Sequence, residues 1–186
     1  LRVGLMTSPH LHRLSERIMI DGVPISDRLL AENWADVEPF LQMVDAELLA
    51  NSEPPLTFYE ALTVLTFACF ADAPVDVAVI EVGMGGEWDA TNVVVADVAV
   101  LTPIAMDHAE FLGDTIREIA RTKAGIVKPA SRVVSAVQSE DAMDEILRAC
   151  IKNFSPNISS SMSPQMRCNC SSVWVLRPSA GVTTSK

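Results

Sequence analysis

The sequence predicts an α/β fold built on a doubly wound, mostly parallel sheet. Three observations carry that reading. Two short apolar runs rich in valine, Val75 to Val82 and Val94 to Ile104, are bounded by Gly, Asp or Pro; this is how strands buried on both faces look. An amphipathic stretch from Asp114 to Ile126 separates the second run from a third, Val133 to Val137. Strand, helix and strand alternating at these lengths define a layered α/β sheet.

The elements before these runs fit the same plan. Val3 to Met6 reads as an opening strand already inside a fold, and Glu16 to Ile25 as a short strand and loop. Ser26 or Asp27 caps a helix carrying Leu29, Leu30, Trp34 and Val37, whose apolar period continues from Pro39 to Leu49 until Asn51-Ser52-Glu53-Pro54-Pro55 breaks it. Thr57 caps a second, densely apolar helix ended by Ala71-Asp72-Ala73-Pro74. Thr115 and Glu118 stand at capping-box spacing, with Gly125 at the far end of that helix. These readings divide the chain into a domain over 1–138 and a divergent, poorly ordered tail over 139–186, in which serine, proline and asparagine lose any regular period from about Ser155.

Composition bounds the function. With 186 residues and 49% hydrophobic content, the chain is long enough to bury a sizeable core. Fourteen basic residues against 24 acidic ones give a formal charge of −10, which argues against general affinity for nucleic acid or an anionic membrane surface. No apolar run reaches the length of a membrane span and the start is unlike a signal peptide, so a cytoplasmic address is expected. Cys69, Cys150, Cys168 and Cys170 show neither disulfide nor zinc spacing and read as free thiols.

Chemistry concentrates at the carboxyl ends of the expected strands, where open α/β sheets bind ligands. Glu81 ends the strand Val77 to Ile80, and Val82-Gly83-Met84-Gly85-Gly86 follows as a loop whose backbone can approach a ligand. The next strand leads to Asp107-His108, so Glu81 and His108 are plausible neighbours; each alone equally suits an ordinary loop role. Oxygen-seeking magnesium fits Glu81 and the Ser8 hydroxyl, whereas His108 suggests zinc or manganese as readily. Ser8 by itself also suits a plain proline turn. Lys123 shares a helix face with Ile116, Ile119 and Ala120. A lysine there either snorkels at the helix end or, desolvated, offers a neutral amine able to become a metal-binding carbamate. Asp89-Ala90-Thr91-Asn92 suits a polar heterocycle or an Asx turn, and Thr57-Phe58-Tyr59-Glu60 suits a ligand or a helix start. His10 and His12 read as loop residues.

Ser8-Pro9-His10-Leu11, Thr57-Phe58-Tyr59-Glu60, the run Glu81 to Asn92, Asp107-His108 and Lys123-Ala124-Gly125-Ile126 together, in this order, resemble the bifunctional folylpolyglutamate synthase/dihydrofolate synthase family of the Mur ligase superfamily. The resemblance spans about Val3 to Val137 and implies part of a P-loop ATPase domain. It implies that ATP activates the carboxylate of dihydropteroate or folate as an acyl phosphate, which the amine of L-glutamate attacks to give an amide, ADP and phosphate. By similarity, Ser8, Glu81, His108 and Lys123, the last carbamylated, match magnesium ligands, with His108 and Lys123 at the catalytic second ion. Thr57, Phe58, Tyr59, Glu60, Trp88, Asp89 and Ala90 match pterin contacts. A monomer is expected. The family's phosphate-binding Gly-x-x-Gly-Lys-[Ser/Thr] loop would precede Leu1, the chain after Ser139 does not resemble the rest of the family, and Glu87 stands where arginine is common. A non-catalytic folate-binding remnant and a ligase for cell-wall precursors are the alternatives; the Thr57–Glu60 and Trp88–Ala90 segments argue against the latter.

Overall fold

The structure, a computed structural model, describes residues 1–154, 158–159 and 172–176, which form two compact units over 1–76 and 77–186. In the first unit β1 (Val3–Met6) pairs antiparallel with β2 (Ile18–Ile20), and β2 with β3 (Val23–Pro24). Two helices follow. α1 (Asp27–Ala50) starts where the Ser26 hydroxyl accepts the Leu29 N–H and continues through Pro39 without ending, so the two apolar stretches read from sequence are one helix. α2 (Phe58–Asp72) begins with a full capping box, in which Thr57 and Glu60 each accept the other's backbone N–H. Its buried Leu62, Leu65, Cys69 and Phe70 join Met6 and Ile18 in this unit's core.

In the second unit β4 (Val77–Glu81), β5 (Val98–Leu101), β6 (Arg132–Ser135) and β7 (Ile158–Ser159) run in one direction, with β5, β6 and β7 in parallel register. The departure from the expected parallel sheet is β8 (Ser172–Leu176), which lies between β4 and β5 and is antiparallel to both, placing Val173 opposite Glu81. Strand lengths are shorter than the apolar runs suggested. Val82, Val94 and Ala96 are buried outside the ladder, which is why the runs extend beyond the strands.

Helices α3 (Ala109–Leu112), α4 (Ile116–Ala124) and α5 (Glu140–Lys152) complete this unit. The Thr115/Glu118 capping box forms as expected. The stretch set apart from 139 opens with α5, a helix capped by Ser139 that buries Ala142, Ile146 and Cys150 against its surroundings. β7 and β8 belong to the same stretch; its other residues after Phe154, Cys168 and Cys170 among them, lie outside the described residues. Burial pushes the Cys69 thiol up to about 11 and raises Cys150 as well, so neither is a thiolate at neutral pH. Among the described residues no helix is long and apolar enough to cross a membrane.

α4 and α5 are clamped through one carboxylate. Glu145, only 5% exposed, takes Arg121 Nε at 3.1 Å and Arg117 at 3.2 Å. The Arg121 guanidinium, then Arg117, hold the Glu145 carboxyl below its ordinary range. A depressed folded-state pKa adds stability above the ordinary carboxylate value, and that contribution disappears as pH falls through the folded value. Glu145→Gln should therefore cost about 2 kcal/mol at pH 7 and flatten the acid limb of a stability-against-pH curve below about pH 4.5, measured by urea unfolding.

In the first unit Gly4 leaves room for a ring. A Cβ built there would lie 2.8 Å from the Phe70 side chain, so Gly4→Ala should destabilise by about 1–3 kcal/mol through overpacking. A lowered urea midpoint at unchanged slope is the expected result.

Candidate functional site

β4 alternates buried Ala78 and Ile80 with half-buried neighbours and delivers Glu81, half-buried, at its carboxyl end. The chain then turns back onto the last turn of α4. Gly85 has φ +72, and a Cβ there would meet Leu112 of α3 at 2.9 Å and Thr122 of α4 at 3.1 Å. A Cβ at Gly86 would meet the carbonyls of Thr122 at 2.8 Å and Lys123 at 2.9 Å. Any side chain at these two positions would push the loop off the helices. The Glu87 N–H then donates to the Thr122 carbonyl at 2.9 Å, and a Cβ on Gly125 would lie 2.5 Å from the Glu87 Cβ. Glycines on both sides of the contact thus let the loop lie directly on the turn that carries Lys123.

Lys123 is 4% exposed and sits beside fully buried Ile119 and Ala120, as the helix stripe predicted. His108 lies at the N-cap of α3 in a left-handed conformation, φ 51 and ψ 37, with Nε2 3.6 Å from Asp107 Oδ2. For a non-glycine residue that conformation costs roughly 1 kcal/mol or more. The cost is retained at the entry to the helix whose Leu112 abuts Gly85. Glu81, the glycine loop, His108 and Lys123 therefore belong to one connected group of segments in the second unit.

Asp89 latches the loop. Its carboxylate accepts from Met84 N at 2.9 Å, Thr91 N at 2.9 Å and Thr91 Oγ at 2.5 Å, while Thr91 is fully buried. This is the Asx turn, so Asp89 builds the loop before it can contact anything else. Trp88, by contrast, is 85% exposed, and Ala90 starts a short 3₁₀ turn. Asn92 ties the far side by donating from Nδ2 to the Glu87 carbonyl at 2.8 Å. Its Oδ1 is buried without a hydrogen-bond donor among the described residues, a deficit of about 1–3 kcal/mol.

Ser8 and Thr57–Glu60 belong to the first unit. Ser8 is half-buried in the turn after β1, preceding a cis Pro9. Thr57 and Glu60 are engaged in the capping box, and hydrogen bonds from the Thr57 hydroxyl, then its N–H, hold the Glu60 carboxyl below its ordinary range. Phe58 is exposed on one side and carries the Arg17 guanidinium 5.4 Å from its centroid on the other. Arg17 Nε also donates to His10 Nδ1 at 2.8 Å. Sequence reasoning missed this His10–Arg17–Phe58 stack, because a cation–π contact across 41 positions has no local periodicity to reveal it.

Magnesium is the metal that the resemblance implies. Among the described residues no group of three or more His, Cys, Asp or Glu side chains could hold a metal. A carboxylate at a strand end with a buried lysine on the adjoining helix nevertheless fits a hard cation, provided the lysine supplies oxygens as a carbamate.

The profile of the Mur ligase middle domain matches residues 30–168. The chain belongs to that family. Within it, the similarity runs to folate enzymes. The chain is 51% identical over 132 residues to the dihydrofolate synthase/folylpolyglutamate synthase of Mycobacterium tuberculosis, covering 69% of this chain and 27% of the relative. It is 44% identical over 142 residues to the folylpolyglutamate synthase of Lacticaseibacillus casei, covering 76% and 32%. Among solved structures, M. tuberculosis folylpolyglutamate synthase with ADP and AMPPCP superposes with TM-score 0.80 at 44% identity, over 86% of this chain and 36% of that one. A folylpolyglutamate synthase–AMPPCP–folate complex superposes with TM-score 0.77 at 40% identity, over 85% and 38%. The chain thus spans about a third of the length of these relatives.

The latch predicts a local effect. Asp89→Ala should speed amide exchange at Met84 and Thr91 at least tenfold, equivalent to about 1.4 kcal/mol of lost protection, while amides of β5 and β6 keep theirs. Hydrogen exchange followed by NMR reads both.

Proposed function

We propose that this chain forms the pterin- and metal-facing part of an ATP-dependent amide ligase that joins L-glutamate to dihydropteroate or folate in the cytoplasm. The observation that carries the reading is the direct seating of the Gly83–Glu87 loop on the α4 turn bearing buried Lys123. That contact fixes Glu81, at the start of the loop, and Trp88, at its end, relative to the lysine.

In the proposed reaction the substrate carboxylate takes the γ-phosphoryl group of ATP, and the glutamate amine displaces phosphate to leave an amide. Within the second unit Glu81, His108 and Lys123 as its carbamate would hold magnesium, and in the first unit Ser8 offers a hydroxyl of the same hard-oxygen character. Bound there, the ion would offset negative charge on the transferring phosphoryl group. Burial excludes water from Lys123, which protects a carbamate from exchange with solvent. The exposed Trp88 ring offers a flat face on which a pterin can stack, worth roughly 1–3 kcal/mol by analogy with base stacking. Asp89 holds that ring-bearing loop, and Ala90 keeps the adjoining surface small. Thr57 and Glu60 position the start of α2, leaving the Phe58 ring, with Tyr59 beside it, as the apolar contact. The chain is proposed to act as a monomer.

The test grafts residues 1–137 into L. casei folylpolyglutamate synthase in place of the matching segment. A chimera with native circular dichroism and AMPPCP binding should release ADP only with folate and glutamate present. Glu81→Ala and Lys123→Ala should each lower kcat at least 100-fold, and Trp88→Ala should raise the folate KM about tenfold. A folded, nucleotide-binding chimera that releases no ADP would sink the proposal.

A further inference from the structure

α1 of the first unit is a helix of 24 residues that buries only Asn33 and Leu41. These two, with half-buried Val37 between them, form the stripe turned toward α2, where Asn33 Nδ2 reaches Asp72 Oδ2 at 3.5 Å. Beside it runs a second apolar stripe that stays in solvent. Phe40, Met43 and Val44 stand at i, i+3 and i+4 and so share one helix face, yet they are 67%, 69% and 43% exposed. α2, with 15 residues, is too short to cover the whole of its neighbour. Carboxylates bracket the triplet: Asp36 lies one turn before Phe40 and Glu47 one turn after Met43, a stripe about 16 Å long at the helical rise. Neither forms an ion pair among the described residues. The one basic residue of α1, Arg28, is held by Glu32 at 2.6 Å, and Arg13 is held by Asp27. The chain supplies no further cation nearby in sequence, because residues 29–116 contain 16 acidic residues and no lysine or arginine.

Exposed apolar patches rimmed by charge mark interaction sites, and here the sign of the rim decides the occupant. A second copy of the chain laid on this face would set Asp36 and Glu47 against their own like charges. Nucleic acid and an anionic membrane surface would be repelled in the same way. We propose that this face of α1 docks a basic amphipathic helical segment of a protein partner. The partner's apolar side chains would pack on Phe40, Met43 and Val44, and a lysine or arginine at each end would meet Asp36 and Glu47. About three turns of such a helix match the length of the stripe, and two helices packed side by side bring long basic side chains within reach of carboxylates on the neighbour. The apolar triplet supplies the attraction and the two carboxylates set orientation and exclude acidic segments. The face uses none of the residues assigned to metal or pterin, so it stands or falls separately from the ligase reading.

The chain is titrated with two synthetic peptides of about 18 residues that share leucines at helical spacing and differ only in the polar face, lysine in one and glutamate in the other, while amide shifts are followed by NMR. The lysine peptide should give saturable shifts centred on residues 36–47, with affinity falling as sodium chloride rises from about 50 to about 200 mM; the glutamate peptide should give none. Phe40→Ser with Val44→Ser should weaken binding about tenfold or more, and Asp36→Asn with Glu47→Gln about threefold or more, with circular dichroism unchanged in both. Val23→Ser, which removes an exposed apolar side chain from β3, should leave the affinity as it is. The proposal is overturned by shifts that do not saturate or that centre elsewhere, by equal binding of the glutamate peptide, or by unchanged affinity in either folded double variant. Sedimentation of the free chain as a dimer that Phe40→Ser with Val44→Ser dissociates overturns it equally, since the face would then belong to a second copy.

Discussion

The second unit depends on one contact, the seating of backbone on backbone where the loop after β4 meets the last turn of α4. Two chain segments approach this closely only if neither presents a Cβ, and Gly86 on one side and Gly125 on the other meet that condition. The hydrogen bond from Glu87 N–H to the Thr122 carbonyl at 2.9 Å adds to the one from Gly125 N–H at 3.2 Å that closes the last turn of α4 on the same oxygen. Without the seating, Glu81 would sit at the end of a strand with no defined relation to Lys123. With it, a strand end, a helix end and an exposed tryptophan are set by one local geometry.

Two different physical devices hold this region, and they act at different depths. The Asp89 latch is short-ranged: a carboxylate accepting three hydrogen bonds from residues within five positions, which fixes the loop whatever surrounds it. The Glu145 clamp is long-ranged, joining α5 to α4 across 24 and 28 positions. A buried carboxylate requires its guanidinium partners, since an unpaired charge there would be costly. α4 is therefore pinned on both sides, by the glycine loop and by α5, which makes it a rigid carrier for a buried lysine.

What sequence revealed follows the range of the interaction responsible. Capping residues Ser26, Thr57 and Thr115 were legible because a cap is decided within three positions. The lysine on the α4 stripe was legible because helical period places it with Ile119 and Ala120. Strand ends were overestimated, since Val82 and Val94 are buried by packing rather than by ladder hydrogen bonds, and apolar character cannot separate the two. The antiparallel course of β8 and the Arg17–Phe58 stack rest on pairings far apart in the chain, for which no periodicity exists. The glycine loop was recognised as a close approach, but not what it approaches; that required Thr122 to be placed.

Glu87 joins these strands of argument. Its backbone completes the contact on which the loop depends, through an N–H that any residue other than proline would supply. A basic side chain would add to the cations that line a cavity between α4 and α5, whereas the carboxylate present offsets them. The same residue thus fixes geometry through its main chain and sets the local field through its side chain. Because these roles use different atoms, the charge at this position acts on the neighbouring side chains, while the positions of Glu81, Trp88 and Lys123 follow from the glycines and the main chain.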